Sequence, residues 1–362
     1  MTASTTVGGL FVFILGACIG SFLNVAIYRL PRDLSVNRPR RSFCPNCGKQ
    51  IAWRHNLPLV SWLVLRGRCA ECGTPIPFRY FAVELITAVL FLISWNFFPS
   101  QVAVAYWVFI GLVVAATFID LEHFIIPDEI TLGGVVAGIV AAFIVPQLMS
   151  TDARLPAFVR AALAALLGYL LLWFVLEAGK LLFGRKRITL DAPTPFIWRR
   201  SGDDAEFTVG AERSLWSEYF GRESDRLLID CEDASIDGRM HNKVTLEFHY
   251  DRLAVENETF ALDDLTEITG SALALVIPRE AMGRGDLKFL ACIGAFLGWR
   301  AVLFALFAGS VYGSVIGLIT LLLGKRVWSL KLPFGPYLGL GAITWMFFGE
   351  GLLQRYQALL GF

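Results

Sequence analysis

The feature that most constrains this chain is a succession of apolar stretches. Each is near the roughly 20 residues that a helix needs to cross a hydrocarbon layer. They fall at about 7–27, 80–98, 102–121, 129–148, 157–183, 287–299, 301–323 and 335–354. The sixth is short; it is tilted, buried within a bundle, or continuous with the seventh through Trp299 and Arg300. Hydrophobic residues make up 56% of the 362 and charged residues 17%, against about 45–50% and about 25% in soluble domains. That balance excludes an ordinary soluble enzyme and a disordered chain. The expected fold is mainly α, a polytopic membrane helix bundle of about eight transmembrane helices.

The first stretch competes with a cleaved signal peptide. It lacks a basic n-region, and its positive charge follows the apolar run, which suits an uncleaved anchor with its N-terminus outside. Ten basic residues lie between Arg29 and Arg79, against two acids, Asp33 and Glu71. The positive-inside rule makes this loop cytoplasmic. Counting crossings puts 184–286 and the loop with Lys325, Arg326 and Lys331 on the same side.

Residues 184–280 are polar, with period-two runs such as Lys243 to Tyr250, the pattern of half-buried strands. Asn242 and the Asp237-Gly238 pair read as turn signals. A β-rich cytosolic domain inserted between two membrane helices is expected. Over 185–284 there are 13 Lys+Arg and 20 Asp+Glu; the rest of the chain carries 19 and 11. The net +1 therefore hides an acidic insert and a basic membrane body. The expected division is 1–28 (first helix), 29–79 (cytoplasmic loop), 80–183 (helices two to five), 184–280 (insert) and 281–362 (last three helices).

Four of seven cysteines form Cys44-Pro-Asn-Cys47 and Cys69-Ala-Glu-Cys72. Two CxxC knuckles supply four thiolates to one tetrahedral ion, and zinc favours that set in closed structural sites. Two disulfides are the competing arrangement, disfavoured in a reducing cytoplasm; a redox CxxC pair is the other. Cys18, Cys231 and Cys292 are isolated and read as small apolar fillers.

Ionisable groups beside membrane helices are functional candidates. Asp120 ends a very apolar segment, and Asp286 opens the sixth within Gly283-Arg284-Gly285-Asp286-Leu287-Lys288. Both fall on the expected cytoplasmic side. Two carboxylates brought close share a proton, the arrangement in which one activates water and the other polarises a carbonyl. Gly283 and Gly285 permit close backbone approach, as an extended substrate requires. The competing role for each aspartate is a helix cap or an ion-pair partner. Asp128 competes with Asp120 and reads as a cap after Pro127. Lys288 pairs with a carboxylate or snorkels. His123 faces the interface rather than a metal. Glu84 pairs with Arg79 or serves a polar site facing the cysteine loop, and Glu177 and Lys180 stand at ion-pair spacing.

With these residues assembled, the chain resembles the type IV prepilin peptidase family, the GxGD membrane aspartic peptidases known as prepilin leader peptidase/N-methyltransferases. The opening Gly20-Ser21-Phe22-Leu23-Asn24-Val25 resembles that family's start. The paired CxxC loop follows, with Leu57-Pro58-Leu59-Val60-Ser61-Trp62 and Gly67-Arg68 inside it. Asp120 to Asp128 is similar to its D-x6-P-D signature, Gly283 to Lys288 to GxGD-x-K, and Leu332-Pro333-Phe334-Gly335-Pro336 to its late loop. His55-Asn56-Leu57-Pro58 departs from the acidic-Asn-Ile-Pro common there, and the insert replaces a short link.

The resemblance implies catalytic Asp120 and Asp286, supported by Gly283, Gly285, Lys288 and Asp128. It implies a bacterial inner-membrane enzyme with a cytoplasm-facing site that cuts the leaders of prepilins or type II secretion pseudopilins. It also implies N-methylation with S-adenosylmethionine, for which no compact binding motif is visible. Membrane lipid and pilus or secretion assembly components reached through the insert are the other expected partners; nucleic acid is not. The alternative class is a non-catalytic membrane adaptor that binds through the zinc loop and the insert.

Overall fold

A computed structural model of the chain describes residues 3–39, 42–183, 186–201, 204–210, 212–216, 226–256, 258–277, 283–322 and 333–359. The apolar stretches form helices α1 (Ala3–Arg29), α3 (Phe78–Phe97), α4 (Ser100–His123), α5 (Asp128–Ile144), α6 (Arg154–Phe183), α7 (Arg284–Leu322) and α8 (Gly335–Leu359). A short α2 (Val60–Val64) lies in the first loop. Proline punctuates the bundle: Pro77, Pro99 and Pro127 sit immediately before α3, α4 and α5. There the missing N–H costs no helical hydrogen bond. Among the described residues, five helices are long and apolar enough to cross a membrane: α1, α3, α4, α6 and α7. Lys325, Arg326 and Lys331, and the side chain of Lys180, lie outside the described residues.

Two compact units divide the chain. Residues 1–173 and 283–362 form one, and 174–282 the other. In the first, small residues set helix–helix distances. A Cβ at Gly16 would stand 2.7 Å from Ala88 Cα, and one at Gly20 2.7 Å from Glu84 Cα. α1 and α3 therefore run antiparallel at close range, the small-xxx-small packing of membrane helices. Gly134 and Gly138 meet Cys292 and Ala295, which makes α5 parallel to the first half of α7. Gly168 and Gly294 meet Leu290 and Ala164, which makes α6 antiparallel to it.

The sixth and seventh stretches share one helical assignment, but α7 breaks at Gly298 (φ 80°, ψ 175°). Its second half returns antiparallel to α8: Phe304 packs on Trp345 at 5.2 Å, and a Cβ at Gly313 would meet Tyr337. α7 is therefore a helical hairpin whose turning point is one glycine in backbone space that L-residues avoid.

The second unit is an eight-stranded antiparallel sheet in the order β3-β2-β1-β8-β4-β5-β6-β7. Its strands are β1 (Lys186–Ser201), β2 (Asp204–Val209), β3 (Glu212–Leu215), β4 (Leu227–Ile236), β5 (Arg239–Phe248), β6 (Arg252–Val255), β7 (Glu258–Ala261) and β8 (Glu267–Ile277). The alternation in β5 buries Val244, Leu246 and Phe248. The sheet curls on itself, because Trp216 beyond edge strand β3 stacks edge-on against Phe248 of β5 at 4.9 Å and Phe207 of β2 at 5.4 Å. Asp237 and Gly238, both at positive φ, form the two-residue hairpin turn that Asp-Gly favours. Asn242 is not a turn: it pairs with Asp233 inside β5. The irregularity falls one residue later, where Lys243 has a φ of 51°.

Asp237 also ties that turn to β8. Its carboxylate accepts hydrogen bonds from the Glu267 N–H (3.0 Å), the Thr266 hydroxyl (2.7 Å) and the Thr266 N–H. The Glu267 amide, then the Thr266 hydroxyl, hold its pKa below the ordinary carboxylate value.

Three outcomes follow from these positions. Gly298→Ala should lower the thermal unfolding midpoint of the detergent-solubilised protein, at a cost of about 1–3 kcal/mol. Gly133→Ala, whose Cβ meets nothing within 4 Å, should be neutral or stabilising. Asp237→Ala should destabilise the sheet by about 0.5–1 kcal/mol at neutral pH, the low end for a solvated carboxylate. Because the folded-state pKa is depressed, this stabilisation is present above the unfolded value of 3.8. It disappears as pH falls through the folded value, so unfolding titrations of wild type and variant should converge in acid.

Candidate active site

Buried charge is costly, so its location is informative. Among the described residues, the only buried Asp, Glu, Lys or Arg side chains are Arg29, Glu84, Asp120 and Asp286. They fall into two groups, Asp120 with Asp286 and Arg29 with Glu84.

Asp120 lies one turn before the end of α4. The Phe124 N–H closes that end on the Asp120 carbonyl at 3.0 Å, and Phe124 adopts the left-handed conformation that terminates a helix. The chain then runs through Ile125, Ile126 and Pro127 into α5. Asp286 sits in the first turn of α7, its N–H donating to the Gly283 carbonyl at 3.2 Å. The α4–α5 corner and this turn meet directly. A Cβ at Gly285 would lie 3.2–3.3 Å from Ile126 Cβ, N and O. Lys288 Nζ donates to Asp128 Oδ1 at 2.6 Å, an ion pair spanning 160 positions. The start of α8 completes the group, with the Gly335 N–H donating to Asp120 Oδ2 at 2.9 Å. Asp120 and Asp286 are each 5% exposed.

The cysteine loop forms two matching knuckles. The Gly48 and Gly73 N–H groups donate to the Cys44 and Cys69 carbonyls at 2.8 and 3.0 Å, and both glycines have a φ of 70°. The Cys44 and Cys69 N–H groups return to the carbonyls of Lys49 and Thr74. All four Sγ atoms lie within 4.8 Å of one another, with Cys44 and Cys72 at 3.8 Å. Tetrahedral zinc–thiolate bonds of about 2.3 Å require sulfur separations of about 3.8 Å. The cluster fits one tetrahedral metal ion. Thr74, with Asn46 behind it, holds the Cys72 thiol down at about 6; the Lys49 amide favours the Cys47 thiolate, but desolvation and the neighbouring Cys44 and Cys72 push Cys47 up to about 11. The Lys49–Glu71 pair at 2.8 Å links the two knuckles.

Beneath this loop, the ends of α1 and α3 enclose a cavity of about 260 Å³, just under the range typical of small-molecule sites, about 300–1,000 Å³. Asn24, Tyr28, Arg29, Tyr80 and Glu84 border it. Arg29 Nη1 donates to the carbonyls of Ser35, Val36 and Pro39. Glu84 Oε2 accepts the Leu59 N–H at 2.7 Å, steadying a leucine at φ 63°. Asn24 Nδ2 donates to the Tyr80 carbonyl at 2.9 Å, but its Oδ1 is buried with no hydrogen-bond partner among the described residues. Such an atom in a cavity wall points to a ligand or an ordered water.

Several sequence expectations change. Arg79 pairs with Glu122 at the end of α4, not with Glu84, whose oxygen serves the loop. Asp128 begins α5 but makes no side-chain cap; its carboxylate engages Lys288. The room that Gly285 makes is filled by this chain's own Ile126. Asn24, Arg29 and Gly335 drew no individual attention in the sequence. Asn24 carried a signal, being an amide within an apolar helix; Gly335 carried none, because its partner is 215 positions away.

Comparison with known proteins adds a family. The model of the "Bacterial Peptidase A24 N-terminal domain" matches residues 14–98. That of the "Type IV leader peptidase family" matches 107–189 and 261–318, interrupted across the β-sheet. A prepilin leader peptidase/N-methyltransferase of Myxococcus xanthus is 32% identical over 87% of this chain, which spans 64% of that protein. One from Dichelobacter nodosus is 34% identical over 50% of this chain and 70% of its own length. One from Aeromonas hydrophila is 27% identical over 95% of this chain and 92% of its own. No solved structure matches the chain. With both halves matched and the aspartate-bearing motifs in contact, the chain belongs to the type IV leader peptidase family.

Proposed function

We propose that this chain removes the leaders of prepilins or pseudopilins with the Asp120–Asp286 pair and N-methylates the new terminus. The observation that carries the reading is the convergence of the only buried aspartates among the described residues, on segments far apart in sequence, at one end of one bundle. One carboxylate takes a proton from water, and the oxygen attacks the scissile carbonyl carbon. The other, protonated, gives its proton to the carbonyl oxygen. Collapse of the tetrahedral intermediate breaks the C–N bond, and the leaving nitrogen takes the proton that the first carboxylate gained. Lys288 and Asp128 hold α7 against the α4–α5 corner, and Gly283 and Gly285 shape that approach.

Eight crossings are the reading that joins the helix directions into one membrane protein, with the two halves of α7 counted separately and α5 and α8 included. The basic first loop then lies in the cytoplasm of a bacterial inner membrane, and with it the aspartates. The four-cysteine site holds structural zinc, closed by four thiolates and with no open position for substrate. The acidic β-sheet unit recruits the basic leader or an assembly component.

The cavity under the loop is the site for methyl transfer. S-adenosylmethionine supplies an electrophilic methyl group when bound. Arg29 offers a cation to its carboxylate, and Glu84 and Asn24 Oδ1 offer acceptors to an ammonium or an incoming amine. The unsatisfied Asn24 oxygen supports this reading.

Asp120→Asn and Asp286→Asn should each lower leader cleavage in membranes by at least about a hundredfold; normal cleavage by either rejects the pair. Purified protein should contain about one equivalent of zinc, lost with a fall in unfolding midpoint in Cys44→Ser/Cys47→Ser. Unchanged metal content rejects the site. Asn24→Leu should depress methyl transfer at least about tenfold relative to cleavage; an unchanged ratio removes the cavity from methylation.

A further inference from the structure

The cavity beneath the cysteine loop has a neighbour to which neither reaction assigns a task. A groove of about 410 Å³ runs beside the end of α1, between Cys18 and Phe22 on the helix and Val36, Asn37 and Pro39 on the loop. Ser21, Val25, Arg29, Ser42 and Asn56 border both spaces, so cavity and groove share a wall. An apolar strip leads into the groove. Val7, Phe11, Ile14, Cys18 and Phe22 recur every three or four residues, and all five are exposed. They lie on the face of α1 opposite Gly16 and Gly20, which pack on α3.

We infer that this strip and groove dock the apolar N-terminal helix of the cleaved substrate, antiparallel to α1, and deliver its new amine to the cavity. The inference rests on the methyl-transfer reading of that cavity. Chemistry selects this occupant over lipid. Acyl chains cover the strip equally well, but they offer nothing to the Ser21, Asn37, Ser42 and Asn56 side chains that border the groove. A helix N-terminus brings N–H groups without intrahelical partners, and here an ammonium as well. Acceptors stand where those donors arrive. The Ser21 side chain, on the shared wall, hydrogen-bonds Glu84. Glu84 has no ion-pair partner among the described residues, since Glu122 holds Arg79. Asn24 Oδ1 is the second acceptor. The direction follows from the cytoplasmic placement of the first loop: α1 reaches the groove by its C-terminal end, and a cleaved helix reaches it by its N-terminal end.

Cys18 supplies the test, because it is exposed in the groove. The full chain, in detergent with its metal, is treated with fluorescein maleimide and given a prepilin substrate. Complete labelling of Cys18 should lower methyl transfer onto the cleaved product at least about tenfold, since a small displacement of a reacting group is that costly. Leader cleavage should be unchanged, and the same reagent should leave Cys18→Ala unaffected in both reactions. Unchanged methyl transfer in the labelled native chain leaves the groove to lipid and overturns the inference; so does an equal loss in Cys18→Ala.

A second arm reads the register. Cys18 precedes Asn24 by six residues, about 9 Å along the helix axis. An antiparallel helix with its amine level with Asn24 therefore sets about its seventh residue beside Cys18. With a single cysteine walked through the cleaved chain, oxidative cross-linking to Cys18 should peak there and fall off within about one turn on either side. Cross-linking spread evenly along the substrate helix, or strongest far from its N-terminus, overturns the docking. An unlabelled native chain that methylates nothing, or an Asn24→Leu variant with an undiminished ratio of methyl transfer to cleavage, would instead reject the underlying cavity reading.

Discussion

The structure depends on the contact between the α4–α5 corner and the first turn of α7. Gly285 lets that turn approach the Ile126 backbone, and Lys288 reaches Asp128 on the corner's far side. An ion pair this exposed contributes little net stability, about 0–1 kcal/mol. Its value is geometric: with the glycine contact, it sets how Asp286 stands relative to Asp120. The first turn of α8 adds the third side through the Gly335 N–H.

Helix packing makes that contact possible. In lipid there is little hydrophobic drive between helices, so close packing of small residues carries association. Gly134, Gly138 and Gly294 let α5 and α6 close on the first half of α7 from two directions. The reversal at Gly298 then returns the chain so that α8 can start beside Asp120. Two polar sites are held in this otherwise apolar body. Each contains a pair of the four buried charged residues, one pair for hydrolysis and one beneath the metal knuckles. The Arg79–Glu122 pair ties α3, which carries Glu84, to α4, which carries Asp120.

Much of this was legible in local sequence. The CxxC spacing announced the metal cluster, because a knuckle closes within five residues and needs only its own glycine. Asp237-Gly238 announced its hairpin turn and the alternation in 243–250 its buried face, since both are short-range patterns. What the sequence hid was long-range. The break near Trp299 and Arg300 was legible as two separate apolar stretches, but the residue on which α7 turns was not, because a single glycine in an apolar run reads as helix. Arg79 had a plausible partner five positions away in Glu84, yet its true partner sits on the next helix. Asn242 looked like a turn residue, but pairing with β4 overrode its local preference. The late loop had no local reason to touch Asp120.

The central claim is that the two aspartate-bearing motifs meet, and a disulfide tests it most directly. Ile126→Cys and Gly285→Cys would place Cβ atoms close to the roughly 3.8 Å a disulfide requires, given the 3.2 Å separation here. The background would lack Cys18, Cys231 and Cys292 and carry a protease site at the Asp237-Gly238 turn. Mild oxidation should then hold the two cleaved halves together on a non-reducing gel, and reduction should release them. Halves that separate without reductant, while each single cysteine remains reactive to a thiol probe, would contradict the convergence on which the account rests.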